Sequence, residues 1–117
     1  MSLLYGALPA DLVSNSIARP GPETRVVIDN WSVREVLIAG EATRHLCGTV
    51  SGVGRVCSPI QDFNKEKMEF TTGSGKIYET IGWPSSGHND AEFVWSKWCS
   101  LNGIENHEYE DVTSEYV

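Results

Sequence analysis

Period-two alternation is the first regular feature of the chain. Val26 and Ile28 alternate with Val27 and Asp29; Val33, Glu35, Leu37 and Ala39 alternate with Arg34, Val36 and Ile38. β-Branched residues in that period predict half-buried strands. Residues 43–50 and 55–60 flank Gly52-Val53-Gly54, which predicts a hairpin or a sharply bent strand. Residues 67–82 form the best hairpin signal. Met68, Phe70 and Thr72 share a face, followed by Gly73-Ser74-Gly75 and a second run from Lys76. A three-residue loop with Gly75 left-handed places Phe70 opposite Tyr78, and a two-residue Gly73-Ser74 turn pairs Phe70 with Ile77 instead. Both registers stay open at this point.

The period then changes. Ala91, Val94, Trp95, Trp98 and Leu101 follow the i, i+3, i+4, i+7 spacing of one helical stripe. Asn89 is the expected N-cap with Glu92 as its partner, and Asn102-Gly103 is the stop, which predicts a helix over 90–102. Ile104 is expected to pack back on the last turn. Before the strands, residues 8–13 read as one helical turn, and Arg19-Pro20-Gly21-Pro22 breaks regular structure. The expected organisation is a loosely ordered N-terminal arm (1–24), a single β-rich domain (25–104) and an acidic C-terminal tail (105–117). The fold class is α+β. A twisted antiparallel sheet or partly open small barrel of about five or six strands carries one C-terminal amphipathic helix.

Composition narrows the function classes. Forty per cent of the 117 residues are apolar and 21% charged, as in a soluble globular domain. No apolar run approaches membrane length, so no membrane partner is expected. The net charge of −7 argues against nucleic acid, whose binding requires clustered Lys and Arg. That charge is uneven: residues 105–117 hold five acids and no Lys or Arg, and the rest of the chain sets nine basic residues against eleven acids. Such an end is ordinarily solvated, with Tyr109, Val112, Tyr116 and Val117 as anchors if it docks. Three cysteines make a poor disulfide framework, and residues 1–6 lack a basic start, so a cytoplasmic location is expected.

The candidate chemistry is sparse. Residues 70–76 look superficially like a phosphate loop. Phe70 stands where the motif needs its first Gly, and Ile77 where it needs Ser or Thr, so a turn is expected. The loop 83–89 brings Trp83, Ser85, Ser86 and His88 together before the helix and is the candidate small-ligand site. His45 and Cys47 share a strand face. A hairpin near Gly52 would set Cys57 opposite Cys47, giving a three-ligand metal or catalytic candidate. No cofactor is implied. No Ser-His-acid set or nucleophile elbow is present, and Trp31 and Trp83 read as edge or core residues.

Val50 and Gly52, then Val56-Cys57-Ser58-Pro59-Ile60, then Thr72-Gly73-Ser74-Gly75-Lys76-Ile77-Tyr78, Gly82 and Trp95 follow one another over residues 44–98. This order resembles a family of small uncharacterised bacterial proteins, some of them associated with mobile elements. The resemblance implies a compact sheet with a helix and no activity. The leading expectation is a small non-catalytic protein-interaction module, inhibitor- or immunity-like, with an unidentified and basic protein partner. A small-ligand-binding domain using 83–89 is the alternative, and an enzyme or metal protein using His45, Cys47 and Cys57 the second. An uncovered edge strand leaves room for a homodimer.

Overall fold

The computed structural model describes residues 10–14 and 21–117. Its strands are β1 (Leu12–Val13), β2 (Arg25–Ile38), β3 (Glu41–Val50), β4 (Val53–Val56), β5 (Ile60–Asn64), β6 (Glu69–Thr72), β7 (Ile77–Thr80) and β8 (Glu110–Asp111), with helix α1 (Asn89–Leu101) between β7 and β8. Strand order is β1-β4-β3-β2-β7-β6-β5, and β8 pairs with β2 off that path. The sheet is open and does not close into a barrel. All pairings are antiparallel except β2 with β7, which is parallel. The eight strands among the described residues exceed the five or six expected for a simple reason. Segments read as arm and tail each supply a two-residue strand, and the run 55–60 divides between β4 and β5.

β2 organises both halves of the sheet. Its first half pairs with β7 and its second with β3 and β8. A bulge at Asn30, with φ of 50°, separates the halves. Gly48 makes the bulge sterically possible, because a Cβ there would lie 2.5 Å from the Asp29 carbonyl oxygen. Two-residue turns with positive φ, Ala39-Gly40 and Ser51-Gly52, join β2 to β3 and β3 to β4. They have the mirror-image geometry that suits the twist of a hairpin. The β6–β7 hairpin takes the three-residue loop, with Gly75 left-handed and Phe70 opposite Tyr78.

Two apolar clusters lie on opposite faces. Leu12, Val36, Cys47 and Val56 pack under Ala91, Val94, Trp95, Trp98 and Cys99 of the helix. Val26, Ile28, Trp31, Val33, Leu46, Cys57, Phe70 and Tyr78 form the other, closed by Val112. The helical stripe is shifted at its end: Cys99 is buried and Leu101 exposed. The helix also starts one residue earlier than expected. His88 is the N-cap, its Nδ1 accepting from the Asp90 amide, and Glu92 accepts from the Gly87 amide at 3.0 Å. The stop is as expected. Ile104 N–H donates to the Cys99 carbonyl at 3.0 Å and Gly103 N–H to Ser100 at 3.3 Å, a Schellman motif.

The terminal segments depart most from the sequence reading. Leu8, Pro9, Arg19 and Pro20 lie outside the described residues. Leu12 and Val13, expected in a helical turn, are instead strand β1 against Val56 and Arg55. Asp11, Leu12 and Ser14 are buried. Residues 110–116 are docked on the body. β8 pairs with Arg34 and Glu35, Thr113 Oγ1 accepts from the Val33 amide at 2.9 Å, and Tyr116 packs on Phe63 and Phe70. Val112 and Tyr116 bury apolar surface while Glu110, Asp111 and Glu115 stay exposed, so docking does not desolvate the acids.

Arg34 joins these parts. Its side chain is 1% exposed, with Glu92 37% exposed beside it. Nη1 donates to Glu92 Oε1 at 3.1 Å, Nη2 to Oε2, and Nε to Ser32 Oγ at 3.2 Å. The guanidinium also lies 4.9 Å from the Trp95 ring centre and 4.6 Å from that of Tyr109. Burial disfavours the cation, but the bidentate carboxylate more than offsets it, and the Arg34 pKa is raised.

Glu92→Gln leaves a buried guanidinium without its counter-charge and should cost about 3 kcal/mol in urea denaturation, the low end for a buried pair because water reaches Glu92. Gly54→Ala sets a Cβ 2.3 Å from the Asp90 carbonyl oxygen, which forces the helix N-terminus off β4. It should cost about 1–3 kcal/mol, read as a lower urea midpoint.

Candidate functional site

The loop before the helix is built largely from structural contacts. Ser85 N–H donates to the Trp31 carbonyl at 2.9 Å, and His88 Nδ1 is occupied by the helix cap. Trp31 is core, with its indole N–H on the Gly82 carbonyl at 3.2 Å. Trp83 is the opposite, 90% exposed. Ser86 is also exposed. Neither of the two described grooves is lined by residues 83–88.

His45, Cys47 and Cys57 separate for a reason of register. Val56, not Cys57, stands opposite Cys47. Cys57 comes one residue later, and one residue changes the face of a strand. Cys47 lies under the helix, its thiol 3.5 Å from the Ala91 carbonyl. Cys57 belongs to the other cluster, where its sulfur accepts from the Leu46 amide at 3.0 Å. His45 is buried against Trp98, ring centres 4.5 Å apart. Its Nδ1–H donates to the Cys57 carbonyl at 2.8 Å, and Nε2 then accepts from the Thr43 hydroxyl at 2.7 Å. Among the described residues, no three His, Cys, Asp or Glu side chains are grouped to hold a metal.

Burial sets the chemistry of these groups. It pushes the Cys47 thiol up to about 12, offsetting the nearby Arg34 charge, and raises Cys57 well above its ordinary value. Cys99 is likewise raised to about 12 by burial. Thiols in this state are poor nucleophiles. The His45 imidazole is pushed down to about 4, again by burial.

A polar network missed by sequence reasoning ties the first described residues to the sheet. Tyr78 donates its hydroxyl to Asp11 and accepts from Arg55 Nη1 at 3.3 Å. Burial raises the Tyr78 pKa, so the phenol stays protonated. Lys76, from the phosphate-loop-like run, is occupied too: its ammonium donates to the Gly21 carbonyl at 2.9 Å and to that of Glu23.

What remains open is a groove beside the second half of β2. It has a volume of about 520 Å³ and lies between Val36 and Leu37 on one side and Ile104, Glu108 and Tyr109 on the other. Glu35, His107 and Glu110 complete its rim. Glu35 is paired with Arg44 at 2.8 Å. Among the described residues, Glu108, Glu110 and Asp111 have no ion-pair partner, and all three are exposed. A second groove, of about 370 Å³, lies on the outer side of β2 near Val27, Asn30 and Ile81.

No family model, no curated protein and no solved structure matches this chain. The neutral His45 gives a prediction with a definite sign. Between pH 6.5 and about 4 the unfolded chain binds a proton that the folded chain refuses. Stability is therefore full above pH 6.5 and falls as pH drops, by about 3 kcal/mol over the window. Urea midpoints should show this excess loss relative to His45→Gln, and parallel pH curves for the two proteins would contradict it.

Proposed function

We propose that this chain is a small non-catalytic protein-interaction module of the cytoplasm, inhibitor- or immunity-like, whose acidic edge receives a basic protein partner. The supporting observation is the fixed placement of Glu108, Glu110 and Asp111. Glu110 and Asp111 are held on the body by β8 and Glu108 lies two residues before it, and no described cation neutralises the three. A preformed field of one sign steers a partner of the other. The cysteines support the non-catalytic part of the reading, since burial keeps all three as thiols. The resemblance over residues 44–98 adds no activity. A second reading, a small-ligand-binding domain at 83–89, rests on the exposed Trp83 ring, an unusual place for so large an apolar group.

The test is capture of partners from lysate of the source cells at low ionic strength. The full chain is compared with Glu108→Lys/Glu110→Lys and with Trp83→Ala. Truncation at Ile104 would remove β8 along with the charges and is avoided. A basic protein held by the full chain, released by salt and lost on charge reversal is expected, with Trp83→Ala unaffected. Retention indifferent to salt and to charge reversal would contradict the reading, and loss on Trp83→Ala alone would favour the second.

A further inference from the structure

The groove beside β2 has a backbone feature that its acids alone would not supply. Strand residues alternate the side to which they present their N–H and C=O. Val33 accepts from the Val112 amide at 2.9 Å, and Glu35 stands opposite Glu110, so the odd-numbered residues of this half turn towards β8. The even-numbered residues turn towards β3, and the tight Ile38/Glu41 pair closes that hairpin. Leu37 is next in the odd series, but β8 stops at Glu110. Its N–H and C=O therefore face the groove, with no hydrogen-bond partner among the described residues.

We infer that this gap is a docking site for a short extended segment of a basic protein, which continues the line of β8 and adds antiparallel to β2 at Leu37. The inference rests on the basic-partner reading above and assigns it a place. β-Addition draws affinity from the backbone and selectivity from alternate side chains. The residue opposite Leu37 projects to the same face as Glu35 and Glu110, because directly opposed residues share a face. Arg44 neutralises Glu35, so Glu110 and Glu108 are the groove's carboxylates left to meet a Lys or Arg. The residues on either side project to the other face, where Ile38, Ile104 and Tyr109 border the apolar core. The preferred occupant alternates basic and apolar side chains. Leu37 itself is 66% exposed and would be covered.

The probe is a capped seven-residue peptide alternating lysine and valine, titrated into the full chain and followed by amide NMR shifts. A second peptide of the same sequence is N-methylated at alternate residues, which removes strand-pairing donors and leaves the charge. The expected result is a shift centred on Leu37 and residues 108–110, with the N-methylated peptide at least about tenfold weaker. Equal binding of both peptides, with shifts spread along the acids, would overturn strand addition while leaving a basic partner in place. No binding of either peptide at low salt would also overturn the inference, and the charge-reversal capture would then judge the parent reading independently. A Leu37 shift that grows with protein concentration, without peptide, would show that a second copy takes the edge and would overturn it too.

Discussion

A buried guanidinium is the constraint on which this structure depends. Arg34 sits in the second half of the longest strand, with its side chain buried from solvent. A cation in that position must be met by a carboxylate and by hydrogen-bond acceptors, or the fold loses several kcal/mol. Glu92 and Ser32 meet it, and the rings of Trp95 and Tyr109 flank it. These partners come from β2, from the helix, and from the segment after the helix. Satisfying one charge therefore sets the seat of α1 and the path of residues 104–111 together.

That path has an electrostatic consequence. Tyr109 turns inward to Arg34 and Trp95, and Glu110 and Asp111 fall into register with β2. Val112, Thr113 and Tyr116 then fasten the segment to the second apolar cluster. Arg44 draws Glu35 and Glu115 together on the same edge, and its guanidinium lies 5.9 Å from the Tyr116 ring centre. Two of the acids left without cations, Glu110 and Asp111, are carried by a strand, and Glu108 lies just before it. Their field is therefore organised by the fold itself. The groove arises at the point where the segment leaves β2 so that Tyr109 can reach the buried cation.

Features governed by local chemistry were legible in the sequence. The helix stripe, the Asn102-Gly103-Ile104 stop and the strand alternation depend on residues a few positions apart. The Gly75 loop also showed as a signal, although its register needed the structure. The rest depended on distant partners. Glu110-Asp111 has no β signature, since its strand character is imposed by β2, although the spacing of Val112 and Tyr116 was a usable hint of docking. The parallel β2–β7 pair and the bulge at Asn30 leave no mark in hydropathy. The Ser51-Gly52 turn pairs Cys47 with Val56 and sends Cys57 to the opposite face, one residue away from the expected register. Trp31 and Trp83 looked alike in composition. One entered the core, and the other lies almost wholly in solvent. The partners of Arg34 were the least visible of all, because Glu92 and Tyr109 are far from it in sequence.

Amide hydrogen exchange along β2 tests the central claim most directly, because that claim is a contrast between neighbouring odd-numbered residues. Val33 donates to Thr113 and Glu35 pairs with Glu110, so both amides should be strongly protected, whereas the Leu37 amide should exchange rapidly. Fast exchange at Val33 would mean that the acidic segment does not hold to the body. Protection of Leu37 equal to that of Glu35 would mean that the edge is already covered, and in either case a preformed acidic groove on β2 would be contradicted.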